Sequence, residues 1–287
     1  MVVLRREGRG VGEHDAHGEY SKRLLVRTWN LFHGNTKPPG RKAYLEELVR
    51  LATADEPDVV CLQELSVWAL VHVPDWSGMS AVTDVARRPL PGVDRLAHLL
   101  SELDARRFRS TVTGEANAVL LQRPLTVAEH RRVVLNPYRY RRAQARQLHL
   151  PLAERLRWAS ERRVLEALRI RRGDDTFVLA NVHITGHKDK RIPDAELLRA
   201  AVYVDGFAQP GEPVLLCGDF NLTVRNSRIL RELMTPEWGF AGATPTGIDH
   251  ILVRGLPAEP PVVWPLERRT RDGRVLSDHA PVDVEVA

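Results

Sequence analysis

The stretch Val214-Leu215-Leu216-Cys217-Gly218-Asp219-Phe220-Asn221 decides how the chain is read. Its apolar run between Pro213 and Gly218 predicts a short strand buried on both faces. A strand of that kind that ends in Gly-Asp-Phe-Asn sets a carboxylate and an amide where the chain leaves the core. Open α/β folds place their chemistry at such strand ends. Gly and Asp are also ordinary turn residues. The motif therefore gains meaning only from what stands at the ends of the other strands.

Leu24 to Leu31 reads as a core strand ending near Asn30, and Lys42 to Ala52 has helical apolar spacing. Pro57 opens a second buried run, Asp58 to Leu62, that terminates in Gln63-Glu64. A carboxylate after so apolar a run needs a partner, because an unpaired buried charge is expensive; a metal ion would serve. Leu65 to Pro91 is irregular and reads as a long loop or short lid near the site mouth. A helix is expected from Asp94, with Leu96, Leu99, Leu100 and Leu103 inward. Gly114 to Leu121 reads as a strand with Asn117 near its start. Val164 to Arg171 and Thr176 to Val182 form a hairpin pattern, with Asn181 and His183 at its far end. Helices are expected after Pro193 and from Asn226 to Met234. Ile248-Asp249-His250-Ile251 opens another strand, and Ser277-Asp278-His279 precedes the alternating strand Val282 to Val286.

With 287 residues and 43% apolar content, the chain is long enough for a large two-sheet α/β fold with a sizeable core. No apolar run approaches the roughly 20 residues a membrane-spanning helix needs. Residues 1–23 are polar and Gly-rich, read as a disordered tail without the apolar middle of a signal peptide. Cys61 and Cys217 lie in apolar runs, so reduced buried thiols and a cytoplasmic location are expected. The formal charge of +5 is uneven: between Arg131 and Arg172 stand 13 Arg against three acids, a local +10. A concentrated basic segment suits a polyphosphate partner such as nucleic acid; it also suits a plain solvated helix.

Polar residues thus stand at or just beyond six strand ends: Asn30, Glu64, Asn181 with His183, Asp219 with Asn221, Asp249, and Asp278 with His279. Each has a bland explanation as a turn former or a satisfied structural group. Trp29-Asn30, Gln63-Glu64, Asn181-Val182-His183, Gly218-Asp219-Phe220-Asn221, Ile248-Asp249-His250-Ile251 and Ser277-Asp278-His279 together have the order and spacing of one family. In this the chain resembles the endonuclease/exonuclease/phosphatase superfamily, from about Leu24 to the C-terminus.

The resemblance implies a four-layer α/β sandwich, two mixed β-sheets packed face to face with helices outside. It implies a single domain over 24–287, with the stretch around 131–163 as a basic insertion. It further implies a magnesium- or manganese-dependent hydrolase of phosphate esters. By position, Glu64 matches the principal metal ligand, with Asn30 and Asp278 beside it. Asp249 matches the acid that orients His279, and Asp219 and Asn221 match the pair flanking the scissile phosphate. His183 matches the histidine of the deoxyribonuclease and sphingomyelinase branches, and Asn117, Asn181 and His250 are candidate substrate contacts. Phe32 stands where the exonuclease III branch carries an extra acid, which argues against an abasic-site repair role.

The chemistry of the residues agrees. Magnesium takes oxygen ligands and keeps several waters, and a His–Asp pair is a standard base assembly. Either His279 or Asp219 can then be the general base. The expected activity is a nucleic-acid phosphodiesterase. The alternative is hydrolysis of a small-molecule or lipid phosphoester, with Trp68, Val71, Val73, Trp76 and Met79 as an apolar lid or as ordinary packing. A non-catalytic binding module would lack Glu64, Asp219 or His279, and all three are present.

Overall fold

The computed structural model describes residues 23–40, 42–89 and 113–287. The helix expected from Asp94 and, apart from Arg23, the expected N-terminal tail lie outside the described residues. In chain order the strands are β1 (Leu24–Asn30), β2 (Thr36–Lys37), β3 (Val59–Leu65), β4 (Ser80–Arg87) and β5 (Glu115–Leu121). They continue as β6 (Thr126–Val134), β7 (Val164–Arg172), β8 (Asp175–His183), β9 (Val214–Asp219) and β10 (Asp249–Arg254). The short β11 (Val262–Val263), β12 (Thr270–Arg271) and β13 (Arg274–Leu276) precede β14 (Val282–Val286).

The first sheet runs β11-β14-β1-β3-β5-β4 and the second β10-β9-β8-β7-β6. Each is mixed: β1 and β3 are parallel, as are β8 and β9, and their other neighbours are antiparallel. The apolar side chains sort into three cores. Val26, Val59, Val119, Leu179, Leu215 and Ile251 fill the gap between the sheets. Outside the first sheet, Val60, Leu62 and Leu120 pack under Leu48 and Val49 of the helix Leu45–Thr53. Outside the second, Ala180, Val182 and Leu216 meet Leu197 and Val204 of the helix Arg191–Phe207 and Leu230 of the helix Arg228–Leu233. Three interfaces make four layers, the α/β sandwich expected from the sequence. Each fully buried Leu or Val there contributes about 1.5–3 kcal/mol.

The segment after Leu65 differs from its reading as a loop or lid. Val67–Val71 is a 3-10 turn, Val73–Ser77 a short helix, and β4 pairs along β5 at the edge of the first sheet. Val73 and Met79 are buried in the outer core, and Trp68 and Trp76 pack on it edge to face. They are packing residues. β6 was hidden in the sequence for the same reason as β4: an edge strand with mixed exposure carries no apolar run. The basic segment is helical at Tyr138–Gln147 and Leu152–Ser160, and Pro151 immediately precedes the second helix.

Gly218 explains why the opening strand ends as it does. It has φ +136°, and a Cβ there would lie 1.9 Å from the carbonyl oxygen of Val182 on the neighbouring strand. Only glycine lets β9 approach β8 so closely. Gly218→Ala is expected to cost more than about 3 kcal/mol, or roughly 6–12 °C in thermal midpoint. Gly78→Ala, at φ +69° with no atom within 4 Å of its Cβ, is the control. It should cost only about 1 kcal/mol, so equal losses in the two melting curves would contradict the steric account.

Candidate active site

Side chains two apart on a strand share a face, and on the inner faces the apolar core stops short of one edge. Leu24 and Val26 lead to Thr28 and Asn30, Phe177 and Leu179 to Asn181 and His183, and Leu215 and Cys217 to Asp219. From the opposite direction, Val253 and Ile251 lead to Asp249, and Leu121 and Val119 to Asn117 and Glu115. The gap therefore grades from apolar, through amides and hydroxyls, to a mouth of acids and histidines. Parallel β8 and β9 end in register at His183 and Asp219, and antiparallel β10 begins with Asp249 opposite Asp219.

Glu64 reaches this mouth through a bulge. The β3–β5 register slips between Leu62 and Leu65, and Glu64 takes the left-handed conformation at φ 55°. Asn181 fastens the slip from the other sheet. Its amide donates to the carbonyl oxygens of Leu62 and Ala118, both at 3.1 Å, and to Glu166 Oε2 at 3.0 Å. Its own carbonyl accepts from Gln63 Nε2 at 2.8 Å. Phe32, His33, Asn221 and Ser277 also have positive φ, so non-glycine backbone strain is concentrated around the site.

Asp219 is central and almost fully buried. Its Oδ2 accepts from Asn30 Nδ2 at 2.9 Å and has His183 Nε2 at 3.6 Å and His279 Nε2 at 3.8 Å. Its Oδ1 accepts from the backbone N–H of Asn221 at 2.9 Å. His279 Nδ1 meets Asp249 Oδ2 at 2.8 Å. Burial disfavours the His279 imidazolium, but the hydrogen bond to Asp249 and the charges of Asp249, Asp219 and Asp278 push the ring up to about 10. The ring's place is fixed by its own loop. Ser277 Oγ donates to the Asn30 carbonyl at 2.7 Å, and Trp29 Nε1 donates to the His279 carbonyl at 3.0 Å.

His183 is set by groups the sequence did not single out. Its Nδ1 lies 2.9 Å from both Glu115 Oε1 and Arg163 Nη1. Burial alone would raise Glu115, but Arg163 and His183 hold its carboxyl well below the usual range. For His183, burial and the Arg163 charge oppose protonation, and Glu115 and Asp219 outweigh them, so its pKa is raised. His33 Nε2 lies 3.2 Å from Glu64 Oε2, and Asn30 Nδ2 donates to Glu64 Oε1 at 3.2 Å. The partners Glu115, Arg163 and His33 come from distant segments and carried no local signal.

Eight of the expected site residues gather here: Asn30, Glu64, His183, Asp219, Asn221, Asp249, Asp278 and His279. Three do not, which corrects their reading as substrate contacts. Asn181 is consumed by the bulge, and Asn117 is fully buried opposite Asp84 in the inner layer. His250 is buried against Phe220, accepting from Thr244 N–H at Nδ1 and donating to the Leu222 carbonyl from Nε2. Burial lowers its pKa, as suits a neutral structural ring.

The donor set fits a hard divalent cation. Glu64, Asp278 and Asn30 offer oxygens, and Asp278 Oδ1 is buried with no hydrogen-bond partner. Lys37 Nζ lies 3.6 Å from Asp278 Oδ2 and answers part of its charge. Ligand atoms of Asp219, Asp249 and His279 also lie within 4.8 Å of one another. An ion held by all three would compete with the 2.8 Å His279–Asp249 hydrogen bond.

Two outcomes test this geometry without any substrate. Asn181→Leu leaves the Leu62 and Ala118 carbonyls unpaired, at about 1–3 kcal/mol for each buried group. A lowered melting point together with faster amide exchange at residues 63–65 is expected, and unchanged exchange would uncouple Asn181 from the bulge. Asp249→Asn removes the charge that raises His279. NMR titration of the metal-free protein should show the ring falling from about 10 toward its ordinary value.

No curated protein sequence matches the chain. Among solved structures, the catalytic domain of human Nocturnin with a bound sulfate superposes with TM-score 0.63 at 15% identity, covering 92% of this chain and 94% of that one. An endonuclease/exonuclease/phosphatase from Bacteroides vulgatus gives 0.63 at 12%, covering 93% and 99%. Truncated TDP2 from Caenorhabditis elegans gives 0.59 at 16%, covering 92% and 97%. At such identities these likenesses show a shared fold. Residues 28–279 match the profile of the Endonuclease/Exonuclease/phosphatase family, and that match spans every strand end described above. The chain belongs to the endonuclease/exonuclease/phosphatase family.

Proposed function

We propose that the protein is a divalent-metal-dependent phosphodiesterase that hydrolyses nucleic-acid backbone by in-line attack of water. The observation that carries this reading is Asp219, a buried carboxylate held between the Nε2 atoms of two histidines. Each histidine has its own acid behind it, Asp249 for His279 and Glu115 for His183. Family membership supports phosphoester hydrolysis. Free, buried Cys61 and Cys217 support a reducing, cytoplasmic setting. No helix among the described residues is long and apolar enough to cross a membrane.

Magnesium or manganese bound by Glu64, Asp278 and Asn30 would supply positive charge to the phosphate and offset the surrounding carboxylates. With those carboxylates offset, His279 can give up its proton and, aimed by Asp249, take one from the attacking water. His183 and the Asn221 amide would meet charge developing on the non-bridging oxygens. A second reading is favoured by the raised pKa values of both histidines. In it Asp219 accepts the proton and the two rings act as cationic phosphate ligands.

Alanine at Glu64, Asp219 or His279 should each lower turnover by about 100-fold or more without lowering the melting point. Chelation should abolish activity, and magnesium or manganese should restore it. A panel of single- and double-stranded DNA, RNA, a bis(nitrophenyl) diester, a nitrophenyl monoester, sphingomyelin and inositol phosphates reads the substrate class. Cleavage of monoesters in preference to diesters would overturn the proposal. Added imidazole restores the His279→Ala protein if that ring takes the proton, and leaves it inactive if Asp219 does.

A further inference from the structure

Two cavities lie end to end on the Glu64 side of the site. The inner one, about 350 Å³, is lined by Glu64, His33 and Glu115 together with Arg87, Arg162 and Arg163. The outer one, about 990 Å³, shares Arg87 and Arg162 with it and adds Arg88, Arg132 and Trp68. A continuous groove thus leads from the candidate metal ligand outward over the paired sheet edges. Its arginines come from three places in the chain: the end of β4, the middle of β6, and the turn after the helix Leu152–Ser160.

Among the described residues, the carboxylates that line the groove beyond Glu64 are already engaged. Asp84 is mostly buried and engages His130 at 2.8 Å, Glu161 pairs with Arg163, and Glu115 is shared by Arg163 and His183. Among the described residues Arg87, Arg88 and Arg162 make no ion pair. Arg132 lies 3.8 Å from Asp84 Oδ1 and donates one N–H to the Val85 carbonyl at 2.7 Å. The opposite flank, a cavity of about 400 Å³ lined by Thr246, Ile248, Asp249, Asp278, His279 and Val282, contains no Lys or Arg. The lining arginines therefore stand on the Glu64 side of the reacting centre, while Lys37 and Lys190 approach Asp278 and Asn221 singly.

We infer that this groove takes the sugar–phosphate backbone of a nucleic-acid strand on the Glu64 side of the scissile bond. Arg87 and Arg162 meet the phosphates nearest the site, and Arg88 and Arg132 meet those beyond. Guanidinium groups along a groove, those of Arg87, Arg88 and Arg162 without an ion pair among the described residues, suit a chain of phosphates. A single small phosphoester would fill the inner cavity and leave the outer charges unanswered. The inference rests on the phosphodiesterase reading and narrows it. It also moves the grip. Most arginines of the basic segment lie on its helices or in internal pairs, such as Arg169 with Glu129 and Glu212, whereas Arg87 and Arg88 lie outside that segment.

The test compares Arg87→Gln/Arg162→Gln with Arg139→Gln/Arg142→Gln, the latter pair exposed on the helix Tyr138–Gln147. In magnesium, the groove variant should raise KM for a single-stranded oligonucleotide by about tenfold or more and raise KM for bis(nitrophenyl) phosphate by much less. Fluorescence anisotropy of the same labelled oligonucleotide in EDTA should show weaker binding. Its logarithmic salt dependence should be shallower by about 1.4 for two lost phosphate contacts. The helix variant should match the parent in every arm. Unchanged oligonucleotide binding in the groove variant, equal losses on both substrates, or a larger loss in the helix variant would each overturn the inference. The binding arm needs no turnover, so a parent that hydrolyses no diester would count against the phosphodiesterase reading and leave the groove still tested.

Discussion

The site depends on a constraint inside the sandwich: backbone groups freed by a bulge in one sheet must find partners in the other. The slip at Gln63-Glu64 turns a carboxylate out of β3 but strands the carbonyls of Leu62 and Ala118 in a buried gap. Asn181, from β8, answers both and is itself answered by Gln63. An amide carries two N–H donors and an acceptor, so it can close such a network where a hydroxyl with one donor, or a carboxylate with none, would not. Loss of that bridge would leave polar groups unpaired in low dielectric, where they cost most. The strained φ of Glu64 is held by this cross-sheet tie.

The layer above turns the same logic to charge. Asp219 is surrounded by donors fixed on four different segments: Asn30, Asn221, His183 and His279. Each histidine is backed by an acid, and one of those acids is shared with Arg163 at the end of the basic insertion. The insertion is anchored below this point. Trp158 donates to fully buried Glu196 at 2.6 Å, and Glu196 accepts from the Thr185 N–H at 2.8 Å, two residues past His183. Arg163 is thereby placed by packing, so its proximity to His183 does not rely on a free loop finding it.

How far the site could be read from sequence follows from contrast. Asn30, Glu64, Asp219 and Asp249 interrupt apolar runs, and an abrupt polar residue at a strand end is visible without structure. Asn117, Asn181 and His250 interrupt the same runs one step deeper, and in sequence they look alike. Only the two-residue alternation, set against known strand ends, separates a group at the mouth from one beneath it. Glu115, His33 and Arg163 carried no such contrast, since their meaning lies in partners many residues away. The edge strands β4 and β6 escaped for a third reason: half-exposed edges mix polar and apolar residues and lose the buried-strand signature.

Those two edge strands carry a consequence of another kind. Among the described residues β4 and β6 end their sheets with no further strand beside them, and an open edge invites a strand from a second molecule. Arg87 lies on one edge and Arg131 and Arg132 on the other, and the Arg132 side chain occupies the Val85 carbonyl. Charge at these positions repels another copy of the same edge. The arginines that line the groove are therefore also guards against sheet extension between molecules. A sequence drifting toward neutral residues there would give up colloidal stability along with its grip on phosphate.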